Sequence, residues 1–246
     1  MQLNTFTIVG RCARTGMLGV GVCTAAPGVG GYCPFVRAGA GAVATMSWVN
    51  PYLAIDGLAL MTDGVSAKNA LDRLIQADPG SAVRQVGMVD AQGGSAAFTG
   101  EDCGHWCGHI HGENFSAQGN ILVGEGTVTA MAQTFQSTEV LDLPERLLLA
   151  LEAGQAAGGD ARGKLSAALL IHWKEEYPYI DLRADDHRNP VPELRRIYEV
   201  AKYQSIPFVA QMPTRDNPLG SFSDEIEASM SVAPAYRRGG GGGESV

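Results

Sequence analysis

The sequence predicts an α+β fold in which two mainly antiparallel sheets lie back to back with helices outside each. Three observations lead there. Runs of β-type composition come in pairs joined by short turns, helical runs also come in pairs, and the pairs follow one another as ββ(β)–αα–ββ–αα–ββ–α. A doubly wound parallel sheet would instead alternate single strands with single helices. The chain has 246 residues, 45% of them hydrophobic and 18% charged, which is enough to bury a large core. Residues 1–206 are assigned to this domain. Residues 207–246 are assigned to a mobile C-terminal extension, because periodicity fades after Pro207 and the chain finishes in Gly239 to Gly243 and three more residues.

Thr5 to Gly10 and Met17 to Thr24 read as paired strands, with Gly16 free to take the positive φ of the turn between them. Gly28, Gly30, Gly31 and Pro34 mark a loop, and Ala40 to Trp48 reads as a buried third strand of small residues. From Pro51 the period turns helical through Met61. Ser66 is the N-cap of a second helix to Ala77, with Leu71, Leu74 and Ile75 on one face. Val83 to Asp90 and Ser95 to Thr99 flank the hairpin turn Ala91-Gln92-Gly93-Gly94. Gly100 to Gly119, rich in Gly, His and Cys, reads as a loop, and Asn120 to Val123 begins an ordered piece leading to a helix near Thr127 to Phe135. Asp142 with Glu145 three residues on makes a capping-box-like start to the next helix, which Leu147, Leu148 and Leu151 turn inward. Ser166 to Trp173 and Tyr179 to Asp185 form a last hairpin. Asn189-Pro190 then opens a helix with Val191, Leu194, Ile197 and Ala201 on its inner face.

Composition narrows the function. The longest apolar run falls far short of the ~20 residues that cross a bilayer, so no membrane partner is expected. MQLN has no basic n-region and no apolar h-region follows, from which a cytoplasmic location is expected. With a net charge of −8 and no clustered Lys/Arg face, nucleic acid is not expected as a partner. Cys12, Cys23, Cys33, Cys103 and Cys107 are read as free thiols.

Several motifs fail on inspection. Gly158 to Lys164 nearly spells a phosphate-binding loop, but Leu165 stands where Ser or Thr must hold Mg²⁺, and the segment joins a helix to a strand rather than a strand to a helix. Gly19-Val20-Gly21 and Gly39-Ala40-Gly41 open no helix of a βαβ unit. No G-x-S-x-G elbow exists, and Cys23 reads as packing in a buried strand. Cys103, His105, Cys107 and His109, with His111 beside them, carry the ligand types of a tetrahedral zinc site, but they lack the second separated pair that structural sites use. Asp186 and His187, after Asp185, offer a carboxylate and an imidazole for binding or catalysis, or else turn capping ahead of the last helix.

TFTIVGRCARTGMLGVGV, RAGAGAVATM with Asn50-Pro51, RQVGMVDAQGGSAAFTG, Trp106 to His109, QGNILVG, ERLLLALEAGQAAGGDARGKLSAALLI and DLRADDHRNPVPELRRI together resemble the DUF1028 proteins. These form a bacterial family of unknown function grouped with the N-terminal-nucleophile (Ntn) hydrolases. The resemblance runs from about Thr5 to Tyr203 and implies a four-layer αββα sandwich, in agreement with the order of elements above. It also implies amide hydrolysis by the side chain of the first residue of the mature chain, whose own α-amine, titrating near ~8, acts as base. By the family pattern that residue here is Thr5, which Met1, Gln2, Leu3 and Asn4 precede, so cleavage between Asn4 and Thr5 is a condition of activity.

If Thr5 is freed, the remaining site residues follow from the matched segments. Arg37 is expected to lower the threonine's basicity or bind a carboxylate. Asn120 is expected to donate its amide to the oxyanion. Asp160, Arg162 and Ser166 are expected to fix substrate charges, or to pair structurally with one another. The leading expectation is an amidohydrolase or peptidase acting on a small amide or peptide-like metabolite, with no cofactor. The alternatives are a non-catalytic ligand-binding or assembly module of the same fold, and a metal-dependent hydrolase built on the Cys103 to His111 segment. A homo-oligomer, at least a dimer, is expected by analogy of architecture.

Overall fold

A computed structural model of the chain describes residues 5–221 and 223–231. The expected removal of residues 1–4 and the polyglycine stretch therefore fall outside the described residues. In chain order the strands are β1 (Thr5–Arg11), β2 (Leu18–Thr24), β3 (Pro34–Arg37), β4 (Gly41–Ser47), β5 (Arg84–Asp90), β6 (Ser95–Thr99), β7 (Trp106–Gly112), β8 (Phe115–Leu122), β9 (Ser166–His172) and β10 (Ile180–Ala184). They make a six-stranded sheet of order β10-β9-β2-β1-β8-β7 and a four-stranded sheet of order β3-β4-β5-β6. Every neighbouring pair is antiparallel.

The two periods of the sequence decide what each face touches. On β1 and β2, Val9, Leu18, Val20 and Val22 point between the sheets, where they meet Ala42, Ala44, Met46 and Val89. The opposite faces meet helices. α1 (Pro51–Thr62) and α2 (Ala67–Ala77) lay Leu53, Leu58, Met61 and Leu71 on Val43, Val86 and Met88 of the four-stranded sheet. α3 (Gly126–Ser137) and α4 (Leu143–Ala156) cover the six-stranded sheet so closely that a Cβ on Gly10 would lie 2.7 Å from Phe135. The layers are therefore helix, sheet, sheet, helix, the αββα sandwich expected.

Three local expectations change. Trp106–Gly112 is a strand, not a loop. Its Gly and His content reads as irregular, yet its side chains alternate: His109 and His111 share the face turned toward β6, where they meet Thr99 and Ser95, and they stay exposed because β7 is an edge strand. β3 was not expected, because its four residues are too few to show a period. Asp142 is the N-cap of α4 but makes no side-chain cap, because its carboxylate pairs with Arg14 at 2.7 Å and Glu145 pairs with Arg195 at 2.7 Å. Ser66 does cap α2, accepting from Asn69 N.

The chain divides into two compact units, residues 1–195 and 196–246. All ten strands belong to the first. α5 (Pro190–Ala201) runs across the division, and the second unit contains α6 (Ser205–Val209) and α7 (Asp224–Ser231). α7 forms where no helical period was read, with Asp224, Glu225 and Glu227 in its first turn, where the helix dipole favours carboxylates. Among the described residues no helix is long and apolar enough to cross a membrane.

Candidate active site

The inward face of the six-stranded sheet is apolar in its middle and polar at one end. Thr5 pairs with Thr24 on one side and Asn120 on the other, and Thr24 pairs with Ser166. Cross-strand partners share a face, so Ser166, Thr24, Thr5 and Asn120 form a polar row across four adjacent strands. The same alternation that sends Phe6 and Ile8 toward the helices sends Thr5 and Thr7 between the sheets. Thr5 is 1% exposed and the other three members are fully buried. The Thr5 hydroxyl donates to Thr24 Oγ1 at 3.3 Å.

A second set of polar groups holds this row from below. Gln85, inward on β5, accepts from Asn120 Nδ2 at 2.9 Å through its Oε1 and donates through Nε2 to Gly119 O at 2.8 Å. The same nitrogen approaches Thr99 Oγ1 and Gly108 O. Ser116 donates to Gln118 Oε1 at 2.6 Å, Gln118 donates to the Thr7 hydroxyl, and Thr7 donates to Met46 Sδ at 3.0 Å. Gln85 therefore ties the two sheets at the Thr5 end, and it spends the Asn120 amide nitrogen. Among the described residues, Asn120 Oδ1 is buried without a partner. The expected oxyanion donor thus presents an acceptor instead.

The segment after α4 roofs the row. Val123 N donates to Gly159 O, Ala161 N to Ile121 O at 3.2 Å, and Leu165 N to Thr24 O at 2.8 Å. Because β1 lies between β8 and β2, a segment stitched to the ends of both passes over the start of β1. Asp160, 5% exposed, fixes it by accepting from Ala25 N at 3.1 Å and Arg162 N at 2.8 Å. Ile121, next to Asn120, has φ 49°, a left-handed conformation costly for a β-branched residue and found where surrounding structure imposes it.

The other expected residues are spread. Arg37 is exposed, donates to Thr62 Oγ1 at 3.2 Å, and pairs with Gly41, which pairs with Asp90. Gln85 marks the Thr5 end of that sheet and Asp90 the other, five strand residues or about 17 Å away, so Arg37 cannot act on Thr5 directly. Ser166 donates to Ala26 O and accepts from Val29 N, which pins the segment after β2. Arg162 reaches Asp160 at 3.7 Å with nearly half its side chain exposed, the structural pairing considered for it. Asp186 and His187 are exposed. His187 Nδ1 accepts from Asn189 N at 3.0 Å, the turn-capping arrangement, and its backbone N donates to Leu165 O about three strands from Thr5.

Cys103 is buried and its thiol donates to Arg84 O, His105 is exposed, Cys107 is half-buried, and His109 Nδ1 is 2.8 Å from Thr99 Oγ1. Among the described residues no three His, Cys, Asp or Glu side chains converge as a metal site requires. Of the four, only Cys107 and His109 lie on β7; Cys103 and His105 precede it, and the Cys103 thiol and the His109 ring are already engaged by Arg84 O and Thr99 Oγ1. Cys23, fully buried, has its thiol pushed up to about 12 by burial and then by the Asp160 charge, which keeps it protonated and inert.

Thr24, Gln85 and Gln118 are the members of the site that sequence reasoning missed. Each had a signal. Thr24 is in phase with inward Val20 and Val22, Gln85 with inward Val89, and Gln118 lies between Ser116 and Asn120 on one face, all positions where an unpaired polar group is costly.

Similarity to known proteins agrees with the fold. The model of DUF1028, a family of unknown function, matches residues 5–194. The crystal structure of protein SPO2555 from Silicibacter pomeroyi, assigned to DUF1028, is similar with a TM-score of 0.81 at 28% identity, covering 89% of this chain and 100% of that one. Anbu, the ancestral beta-subunit from Yersinia bercovieri, has a TM-score of 0.34 at 12% identity over 85% of this chain and 98% of that one, too little to carry a functional argument. No curated protein matches. A match that begins at the first residue of the polar row and spans all ten strands makes this chain a member of the DUF1028 family.

Proposed function

We propose that the chain is an Ntn-type amidohydrolase in which Thr5 attacks the carbonyl of a small amide or peptide-like metabolite once residues 1–4 are removed. The observation that carries this reading is the placement of Thr5. It is the first residue of an interior strand, its hydroxyl points between the sheets, and its neighbour Asn120 holds a buried Oδ1 that has no partner among the described residues. Once the Asn4–Thr5 bond is cut, the new α-amine donates to that Oδ1 and its lone pair takes the hydroxyl proton. The threonine oxygen bonds to the substrate carbonyl carbon, the amide C–N bond breaks, and the leaving nitrogen receives the proton. Water then hydrolyses the ester by the same base. Arg162, on the roof segment, meets a substrate carboxylate.

The test has two stages. Intact-mass measurement of untagged protein is expected to show a species starting at Thr5, and only that species is expected to turn over dipeptides or N-acyl amino acids. Thr5→Ser is expected to retain activity and Thr5→Ala to lose it. A population of full-length chain alone, with no turnover, sinks the proposal.

A second reading, a non-catalytic binding module, is favoured by one fact: all four residues of the row are at most 1% exposed, which leaves the Thr5 hydroxyl out of a substrate's reach. Uncleaved protein that binds such metabolites without turnover supports it.

A further inference from the structure

Thr5 opens β1, and Arg11 closes it six residues or about 20 Å away. There, outside the polar row, lies a cavity of about 290 Å³ whose walls include Arg11, Glu113, Asn114, Phe135, Glu139 and Arg146. Its volume is near the lower end of small-molecule sites, which start at roughly 300 Å³.

The two arginines make this cavity unusual. Arg146 stands on the inner face of α4, 5% exposed. Its guanidinium lies 3.9 Å from the Phe135 ring centroid and donates from Nη2 to Phe135 O at 2.9 Å, while its Nε is buried without a partner. Arg11 donates from Nη1 to Asn114 Oδ1 at 2.9 Å, and its Nε is likewise buried without a partner. Among the described residues no carboxylate is within ion-pair distance of either guanidinium. The two Nε atoms are sealed from solvent, so a ligand would meet the outer Nη edges of the guanidiniums. Glu139 acts on Arg146 only through space, and a buried guanidinium is ordinarily matched by an anion at contact distance, which a ligand carboxylate in this cavity would supply.

The rim limits the choice. Glu113 and Glu139 are exposed and line the same cavity. A phosphate would meet both carboxylates at close quarters, whereas a ligand carrying a carboxylate and an ammonium answers both signs. We propose that this cavity binds a small α-amino acid, its carboxylate on Arg146 and Arg11 and its ammonium toward Glu113 and Glu139. Phe115 and Phe135 supply an apolar wall for its side chain.

Calorimetric titration of the full chain with each common L-amino acid, with acetate and with inorganic phosphate tests the site. Binding of at least one amino acid is expected, weakened about tenfold or more by Arg11→Met and by Arg146→Met. Glu139→Gln is expected to weaken amino-acid binding but not acetate binding, and Thr5→Ala to change neither. If Arg146→Met fails to fold, Arg11→Met and Glu139→Gln carry the test, since both residues are at least partly exposed. No binding by the wild-type chain, unchanged affinity in Arg11→Met, or phosphate binding tighter than every amino acid overturns the proposal.

Discussion

Replacing Gln85 by Leu tests whether this side chain is the tie that holds the polar row. The substitution keeps bulk and removes every polar partner. Two of the groups it strands are buried: the carbonyl of Gly119 and Nδ2 of Asn120. The partners at Thr99 and Gly108 are only partly buried and can take water. Each stranded buried group costs about 1–3 kcal/mol, so the loss is about 2–6 kcal/mol, a large share of the ~5–15 kcal/mol that holds a domain together. Urea unfolding reads this directly. With a slope of roughly 2–3 kcal/mol/M, a loss of about 4 kcal/mol moves the midpoint down by about 1.5 M. The measurement is repeated in an Asn120→Ala background, where Nδ2 no longer exists to be stranded. There the Gln85→Leu cost is expected to shrink by about 1–3 kcal/mol. A loss below about 1 kcal/mol in the wild-type background, or equal losses in both, refutes the reasoning.

Gly87→Ala places a Cβ on the Gln118 amide, which is fully buried and held by Ser116 and Thr7, and is expected to cost about 2–4 kcal/mol in thermal or urea unfolding. Removing the obstacle with Gln118→Ala is expected to lower that cost. His172 is 7% exposed and burial holds its pKa below the ordinary 6.5. The unfolded chain therefore binds the proton more readily, and stability falls as pH drops below about 6.5, with a slope of at most about 1.4 kcal/mol per pH unit from this group. His172→Phe flattens that slope, and an identical pH profile for the variant would count against the assignment. Cys23 and Cys33, whose thiols burial pushes upward, are expected to resist a thiol reagent at neutral pH until the protein unfolds, as read by mass mapping of the labelled sites.

Much of the fold is legible in the chain because it follows from local periods. Val9, Val20 and Val22 alternate with residues that face helices, and Ala54, Leu58 and Met61 recur at i, i+4 and i+7, so sheet and helix layers declare themselves. The edge strand Trp106–Gly112 escaped for a physical reason. An edge buries little, so its residues need not be apolar, and glycine and histidine there read as loop. The α4 capping box failed for another: Asp142 and Glu145 found arginines distant in sequence, Arg14 and Arg195, and those partners displaced the local ones.

The site divides along the same line. From sequence alone, Thr5 starts a strand at the position the family resemblance gives the nucleophile, and Asp160 and Arg162 belong to one segment. Period two states which face a side chain takes and says nothing of which strand lies beside it. The register of distant strands sets Thr5 between Thr24 and Asn120, puts Gln85 of the other sheet beneath them, and sends Arg37 to the far end. It also turned Asn120 from the donor expected into an acceptor, because only packed neighbours decide which end of an amide is already spent. The sequence thus determined the layers and the nucleophile's candidate, and tertiary packing alone decided its company, since strand pairing is a contact between residues that the chain itself keeps far apart.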